Sequence, residues 1–269
     1  MERFANNEGI VVWHKANFSF VDTDNSTSTG SSSESSAAAT NNSQDVVFGV
    51  LGEDLMDGPG GVFFGLIRET DAWIRTSFLA QTGYTSFIAD FRVSPKLVLS
   101  KHSLIRDDND SNAASSSDYI PLVRDLHQFY HAPVVHYAAL ADGLVINGIP
   151  QDLGQSRRRG RGGSSSTYVI FDTGSTGLVL SQKLWDRRYQ QARQNREKSL
   201  WGKVQLSFRT AQGNTIMIEA SRPVTTSLGN SLPFRGFKGN LVVVGLAFLD
   251  GRALVIDSQN DKLQILFDG

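Results

Sequence analysis

The 269-residue sequence contains no cysteine, which excludes disulfides, thiolate nucleophiles and cysteine-based zinc sites. It also lacks an excess of one charge: 26 basic and 27 acidic side chains give a net charge of -1, too little to attract nucleic acid or an anionic membrane. No run approaches the roughly 20 apolar residues of a membrane span, and the N-terminal residues as written are not expected to act as a signal peptide. The sequence therefore predicts no nucleic-acid partner and no membrane span, and it leaves the compartment unknown.

Three polar tracts interrupt the chain, at residues 22–44, 106–118 and 154–166. Their Ser-, Asn-, Gly- and Asp-rich composition cannot bury enough apolar surface to offset the entropy of ordering, so we expect long surface loops. The third tract contains Arg157-Arg-Arg-Gly-Arg161, a run that could serve nucleic-acid binding or dibasic cleavage. Because aromatic residues do not alternate with these arginines, a solvated loop is the favoured interpretation.

Between the tracts, short runs of β-branched and aromatic residues bounded by Gly, Pro, Asn or Ser are typical of strands. The predicted strands are residues 46–51, 85–93, 96–99, 144–147, 168–171, 177–180, 203–208, 215–219, 241–244, 253–256 and 262–266. Helices are predicted only at residues 71–80 and 182–197. The pattern indicates a mostly-β protein.

The stretch Tyr168-Val-Ile-Phe-Asp-Thr-Gly-Ser-Thr-Gly-Leu-Val-Leu180 places Asp172 on a short polar loop between two apolar arms. A carboxylate can activate water when a second carboxylate lies about 3 Å away, because the pair then shares one proton. In this interpretation the Thr173 hydroxyl bonds across the pair, Gly174 permits a tight turn, and Ser175 orients the carboxylate. Asp172 is therefore the candidate catalytic residue, with Thr173, Gly174 and Ser175 in support.

Motifs on both sides of this loop occur in one order along the chain. Val46-Val-Phe-Gly-Val-Leu51 and Gly58-Pro-Gly-Gly-Val-Phe-Phe-Gly-Leu66 precede it, together with Tyr119-Ile-Pro-Leu-Val123. Val242-Val-Val-Gly-Leu-Ala-Phe-Leu249 and Ala253-Leu-Val-Ile-Asp257 follow it. In this order the chain resembles the pepsin-like aspartic proteases, and especially their plant, nepenthesin-like branch.

The resemblance implies a pepsin-like acid-protease fold, with residues 1–94 as a remnant of the first lobe and residues 95–269 as a complete second lobe. The composition of residues 22–44 predicts a disordered insert in this first lobe. In the family, a glycine of the closing motif threads its strand through the catalytic loop, which assigns that role to Gly245. The implied activity is aspartic-type endopeptidase cleavage of an extended polypeptide, without metal or cofactor, in a secreted or vacuolar protein.

The sequence carries one Asp-Thr-Gly where the family uses two. Asp22-Thr-Asp24 resembles a second copy superficially, but an aspartate replaces the glycine and a Ser/Asn-rich tract follows, which favours an ordinary acidic loop. Three hypotheses remain: an endopeptidase lacking the front of its first lobe, a homodimer in which two chains each supply Asp172, and a non-catalytic binding or inhibitor protein. The first predicts a monomer without activity.

Other residue types give weaker indications of chemistry. The histidines do not form the His-Glu-x-x-His pattern of a zinc hydrolase, so surface or packing roles are expected for His14, His102, His127, His131 and His136. Asp257 follows a predicted strand, and in the resembled motif it begins a turn, so its expected role is structural.

Overall fold

The computed structural model describes residues 2–4, 7–9, 11–20, 42–51, 62–63, 66, 76–105, 118–124, 126, 137–153, 166–229 and 239–267. Most of the three polar tracts lies outside these residues, as do residues 71–75 of the predicted first helix. The chain divides into two compact units, Met1–Gly83 and Tyr84–Gly269. The predicted lobe boundary after Ser94 falls within the second unit.

The described residues of the first unit form antiparallel ladders and one short helix. Strand β1 (Glu2–Phe4) pairs with β2 (Asn7–Gly9), while β4 (Asn42–Leu51) lies between β3 (Val11–Phe20) and β5 (Val62–Phe63). Helix α1 (Phe78–Thr82) begins at the Ser77 cap, whose hydroxyl accepts from the amide of Ala80, and ends at Gly83, which has φ +72°.

Strand β4 corrects the predicted extent of the first polar tract. Ser43 and Gln44, which composition assigns to that tract, pair with Ser19 and Phe18 on β3. The backbone ladder orders these polar residues, because strand pairing does not require an apolar side chain at every position.

The second unit contains thirteen strands of the described residues in one sheet and a single long helix. The strands are β6 (Ser86–Asp90), β7 (Lys96–Ser100), β8 (Ile120–Val123), β9 (Ala138–Ile146), β10 (Ile149–Pro150), β11 (Thr167–Phe171), β12 (Leu178–Leu180), β13 (Lys203–Arg209), β14 (Thr215–Ser221), β15 (Thr225–Ser227), β16 (Asn240–Val244), β17 (Arg252–Asp257) and β18 (Lys262–Phe267). Helix α2 spans Gln182–Gln194. The predicted mostly-β class is confirmed.

Strand β16 lies between two strands, β11 and β12, that are consecutive in the chain. The main path of the sheet runs β15-β12-β16-β11-β9-β8-β18-β17-β6-β7. Strand β16 is parallel to β11 on one side and antiparallel to β12 on the other, although β11 and β12 are consecutive in the chain. The loop that joins β11 to β12 must therefore pass around the end of β16.

Continuous apolar runs explain why these strands lie in the interior. Every residue of β11 is buried, and β16 is buried at all positions except the partly exposed Val243. A strand covered on both faces has no need for the alternation of apolar and polar residues seen at a half-exposed sheet. Tyr168, Ile170 and Leu241 from these strands form one core cluster with Leu126 and Ala138.

Helix α2 ends three residues before the predicted end at Glu197. The amide of Arg196 donates to the carbonyl of Arg193, and the amide of Glu197 donates to the carbonyl of Ala192. This pairing is a Schellman motif, and Arg196 occupies its left-handed position with φ +52°. The composition predicts a longer helix because arginine and glutamate are good helix formers.

Candidate active site

The Asp172 loop begins where β11 ends and is held mainly through its backbone. The amide of Asp172 donates to the carbonyl of Val244 at 3.0 Å, which ties the start of the loop to the end of β16. The amide of Ser175 returns to the carbonyl of Asp172 at 3.2 Å and closes a tight turn. The main chain of Asp172 is therefore fixed at the end of the buried strand β11.

Gly245 lies directly against this turn. The amides of Gly245 and Leu246 donate to the carbonyls of Gly177 and Ser175, at 2.8 and 2.9 Å. A Cβ atom at position 245 would come within 2.6 Å of the Ser175 carbonyl carbon and 2.7 Å of its Oγ, and closer still to its carbonyl oxygen. The φ of Gly245 is -103°, so space and not backbone conformation requires glycine here.

Asp172 is exposed, whereas both arms of its loop are buried. Phe171 before the loop and Leu178 after it are 6% and 0% exposed. The Asp172 side chain is exposed, with Thr173 and Ser175 partly covered. The apolar arms thus fix the loop while the carboxylate remains accessible.

The carboxylate of Asp172 accepts a hydrogen bond from the amide of Gly174 at 2.9 Å. Ser175 differs from its predicted role, since its Oγ donates to the main-chain carbonyl of Asp172 at 3.1 Å and not to the carboxylate. Gly174 therefore orients the carboxylate, and Ser175 stabilises the turn beneath it. The predicted bond of Thr173 across a carboxylate pair stays a prediction.

No acidic side chain is hydrogen-bonded to Asp172 within the residues that the structure describes. Asp22 and Asp24, the acidic residues of the second Asp-Thr sequence, lie outside those residues. Within the described residues, the site therefore supplies one carboxylate of the predicted pair.

Asp257 has the structural environment expected of it. Its carboxylate is fully buried and accepts from the amides of Gln259 and Asn260, both at 3.0 Å, and from the Asn260 side chain. Burial raises the pKa of this carboxyl, but hydrogen bonds from Ser103 and Asn260 outweigh it, so the net pKa is lowered. Asp257 thus caps the turn between β17 and β18.

Two of the five histidines lie in described positions. His14 stacks on Phe48 with 5.9 Å between ring centroids, and the His102 amide donates to the Ser100 hydroxyl. His127, His131 and His136 lie outside the described residues. In the described part of the chain, no group of three or more His, Asp or Glu residues is arranged to hold a metal ion.

Gly177 is a further residue of the site that the motif analysis did not single out. A Cβ atom there would overlap the carbonyl oxygen of Val224 and lie 3.0 Å from its carbonyl carbon. The amide of Leu178 donates to that same carbonyl at 2.8 Å. The second glycine in Gly174-Ser-Thr-Gly177 was the available signal, because a glycine at a strand start marks close backbone approach.

Comparison with known proteins gives no match for this chain among protein-family models or curated proteins. Among the described residues, no helix is long and apolar enough to cross a membrane.

Proposed function

We propose that this chain supplies half of an aspartic-endopeptidase active site, with Asp172 as one of two carboxylates that activate a water molecule. The observation that best supports the proposal is the packing of Gly245 against Ser175, in the loop that joins β11 to β12 around the end of β16. This is the arrangement that the resemblance to pepsin-like proteases assigns to Gly245. The sequence motif and the backbone geometry both support the same residues.

The chemistry follows from a shared proton. Two carboxylates about 3 Å apart cannot both ionise, so one is a base that removes a proton from water while the other, protonated, polarises the peptide carbonyl. Water attacks the carbonyl carbon, and the proton passes to the leaving amine. Thr173 and Gly174 would keep the Asp172 carboxylate aligned during these transfers.

The exposure of Asp172 favours a second carboxylate that comes from outside the described residues. A single carboxylate lacks both the shared proton and an opposing wall to hold the water. Acid–base catalysis contributes about 10²- to 10⁴-fold to such rates, and positioning contributes more. We therefore propose that the isolated monomer is inactive, and that a second copy facing the first through Asp172 would form the pair.

The test is hydrolysis of an unstructured peptide at acidic pH over a wide range of protein concentration. Activity from paired chains rises with the square of concentration while dimers are scarce. Asp172→Asn should abolish it, and the control Asp250→Asn, which changes another exposed aspartate, should not. In mixtures with Asp172→Asn, wild-type activity should fall by more than simple dilution.

A peptide in which a hydroxyl-bearing carbon replaces the cleaved carbonyl separates catalysis from binding, because it resembles the tetrahedral intermediate. Binding without cleavage at any concentration would support the non-catalytic alternative. If the protein neither binds this peptide nor cleaves the substrate, the proposal is contradicted. Activity proportional to concentration at high dilution would show a second carboxylate within the chain, with Asp22 and Asp24 the first to replace.

A further inference from the structure

One side of α2 and the loop after it combine aromatic rings with positive charge. We call this surface the aromatic-basic edge, and it comprises Trp185, Tyr189, Arg193, Arg196, Lys198 and Trp201. Trp185, Tyr189 and Arg193 are spaced by four residues, so they follow one another along one side of the helix. None of these six residues belongs to the Asp172 loop.

The loop after α2 folds back along the helix. Arg188, which is fully buried, donates from Nε and Nη2 to the carbonyl of Leu200 at 3.0 and 2.8 Å. The Trp201 ring then packs on Trp185, with 4.8 Å between centroids and 40° between the planes. Residues 196–201 therefore run alongside the helix, from its C-terminal end back to its first turns.

In this loop the acidic side chain contacts the helix, whereas the basic side chains are exposed. Glu197 bonds to the buried guanidinium of Arg188 through both carboxylate oxygens. Its neighbours Arg196 and Lys198 are exposed, as is Arg193 in the last turn of α2. None of these three cations forms an ion pair with a carboxylate in the described part of the chain. The outer side of the edge is therefore positive, although the whole chain carries a net charge of -1.

The fold does not explain the arginine at position 196. Arg196 has φ +52° at the left-handed position of the Schellman motif, where glycine or asparagine is usual because a Cβ is strained there. Arg193 has a structural role, since a cation in the last turn is favourable for the helix dipole. Arg196 and Lys198 lie just after the helix and are exposed, with no carboxylate partner among the described residues, so their charges are available for a ligand.

We propose that the aromatic-basic edge binds an acidic polysaccharide, a chain of sugar rings that carry carboxylates. The apolar C–H face of a sugar packs on an aromatic ring, and each carboxylate accepts charge-assisted hydrogen bonds from arginine or lysine. Gln190 and Gln194 are exposed on the adjacent face of α2 and supply amides for sugar hydroxyls.

A nucleic acid fits this surface less well. Trp185 and Trp201 already pack on each other, so neither can stack bases on both faces. Interfaces with nucleic acids are also much more positively charged than those with other proteins, and this edge supplies three unpaired cations among the described residues.

The test measures binding of the full-length protein to polygalacturonate, to its methyl-esterified neutral form and to a single-stranded oligonucleotide of matched charge, by tryptophan fluorescence and calorimetry. We expect binding to polygalacturonate that weakens with salt over about 50 to 300 mM, because exposed charges are screened. Neither the neutral polymer nor the oligonucleotide should bind comparably.

Arg196→Gly is the decisive variant, because glycine is favoured at φ +52° and the change should leave the thermal midpoint equal or raised. It should weaken binding roughly two- to fivefold, the range for an exposed ion pair. Arg193→Gln, Arg196→Gly and Lys198→Gln together should weaken it about tenfold or more. Lys101→Gln, which changes an exposed lysine outside α2 and the loop after it, is the matched control and should change nothing.

Absence of binding to polygalacturonate would overturn the proposal. So would equal binding of the oligonucleotide, which would indicate general polyanion attraction, or an equal loss of affinity in Lys101→Gln. Cleavage assays play no part in these measurements, so the result is independent of the proposed function.

Discussion

The substitution Gly245→Ala tests the central feature of the Asp172 loop. A methyl group at this position would lie 2.6 Å from the Ser175 carbonyl carbon and 2.7 Å from its Oγ. Most of the contact is with backbone, which cannot rotate away as a side chain can. Either the Ser175 turn or the end of β16 must move.

The cost can be estimated from two effects. Overpacking in a well-packed site costs about 1–3 kcal/mol. Separation of the two segments also weakens the bond from the Leu246 amide to the Ser175 carbonyl, with a net loss of about 0.5–1.5 kcal/mol. A total of about 2–4 kcal/mol corresponds to a fall of roughly 4–16 °C in the thermal midpoint of a unit of this size.

The matched control is Gly143→Ala in β9. There the added Cβ would meet only the Oγ of Ser207, at 2.7 Å, and that hydroxyl can rotate to another rotamer. Thermal unfolding by circular dichroism gives the midpoints, and hydrogen exchange reports protection of the Leu246 amide. Equal midpoints for wild type and Gly245→Ala, with unchanged exchange at Leu246, would refute the argument that glycine is required here.

Three further predictions concern the second unit. Arg188→Met leaves the Glu197 carboxylate without its buried partner and should cost about 3–5 kcal/mol by urea unfolding, part of which Glu197→Gln in the same chain should restore. Hydrogen bonds from Arg188 lower the pKa of Glu197 from 4.5 to about 2, and those from Arg92 lower the pKa of Asp90 from 3.8 to about 2. Because the pKa values of both carboxyls are lower in the folded state, this stabilisation is present above their ordinary pKa values and is lost as the pH falls through the folded-state pKa of about 2. A thermal midpoint that stays constant between pH 4.5 and 2 would count against this prediction. Asn147→Gly keeps the backbone at φ +52° but removes the side-chain bonds from Nδ2 to the Ser199 carbonyl and to Glu197. It should cost about 1–2 kcal/mol by urea unfolding, whereas an unchanged midpoint would show that these bonds contribute nothing.

The strands near the site could be predicted because their local sequence and their environment agree. Residues 168–171 are β-branched or aromatic, and they form β11 with every residue buried. The loop that follows was also predictable, since a glycine and three small polar residues cannot continue a buried strand. The mostly-β class required nothing beyond such local patterns.

The arrangement of the strands could not be derived from those patterns. Nothing in the spacing of β11, β12 and β16 shows that β16 lies between the other two, because pairing between distant segments depends on the whole sheet. Only the resemblance assigned Gly245 to the Asp172 loop. The ion pair between the buried Arg188 and the partly exposed Glu197 was missed although Leu184, Arg188 and Ala192 share one side of α2, since composition favours an exposed arginine.

The hydrogen bonds around Asp172 separate its structural role from its chemical one. The Val244 carbonyl and the Ser175 amide and hydroxyl all bond to main-chain atoms of Asp172, while the carboxylate accepts from the Gly174 amide. An asparagine side chain has an oxygen that can accept the same bond, and its exposure avoids a cost for burying an amide. Asp172→Asn therefore removes the ionisable group without removing the contacts that form the loop. A loss of cleavage in that variant, with unchanged stability, would reflect the missing carboxylate and not a disordered turn.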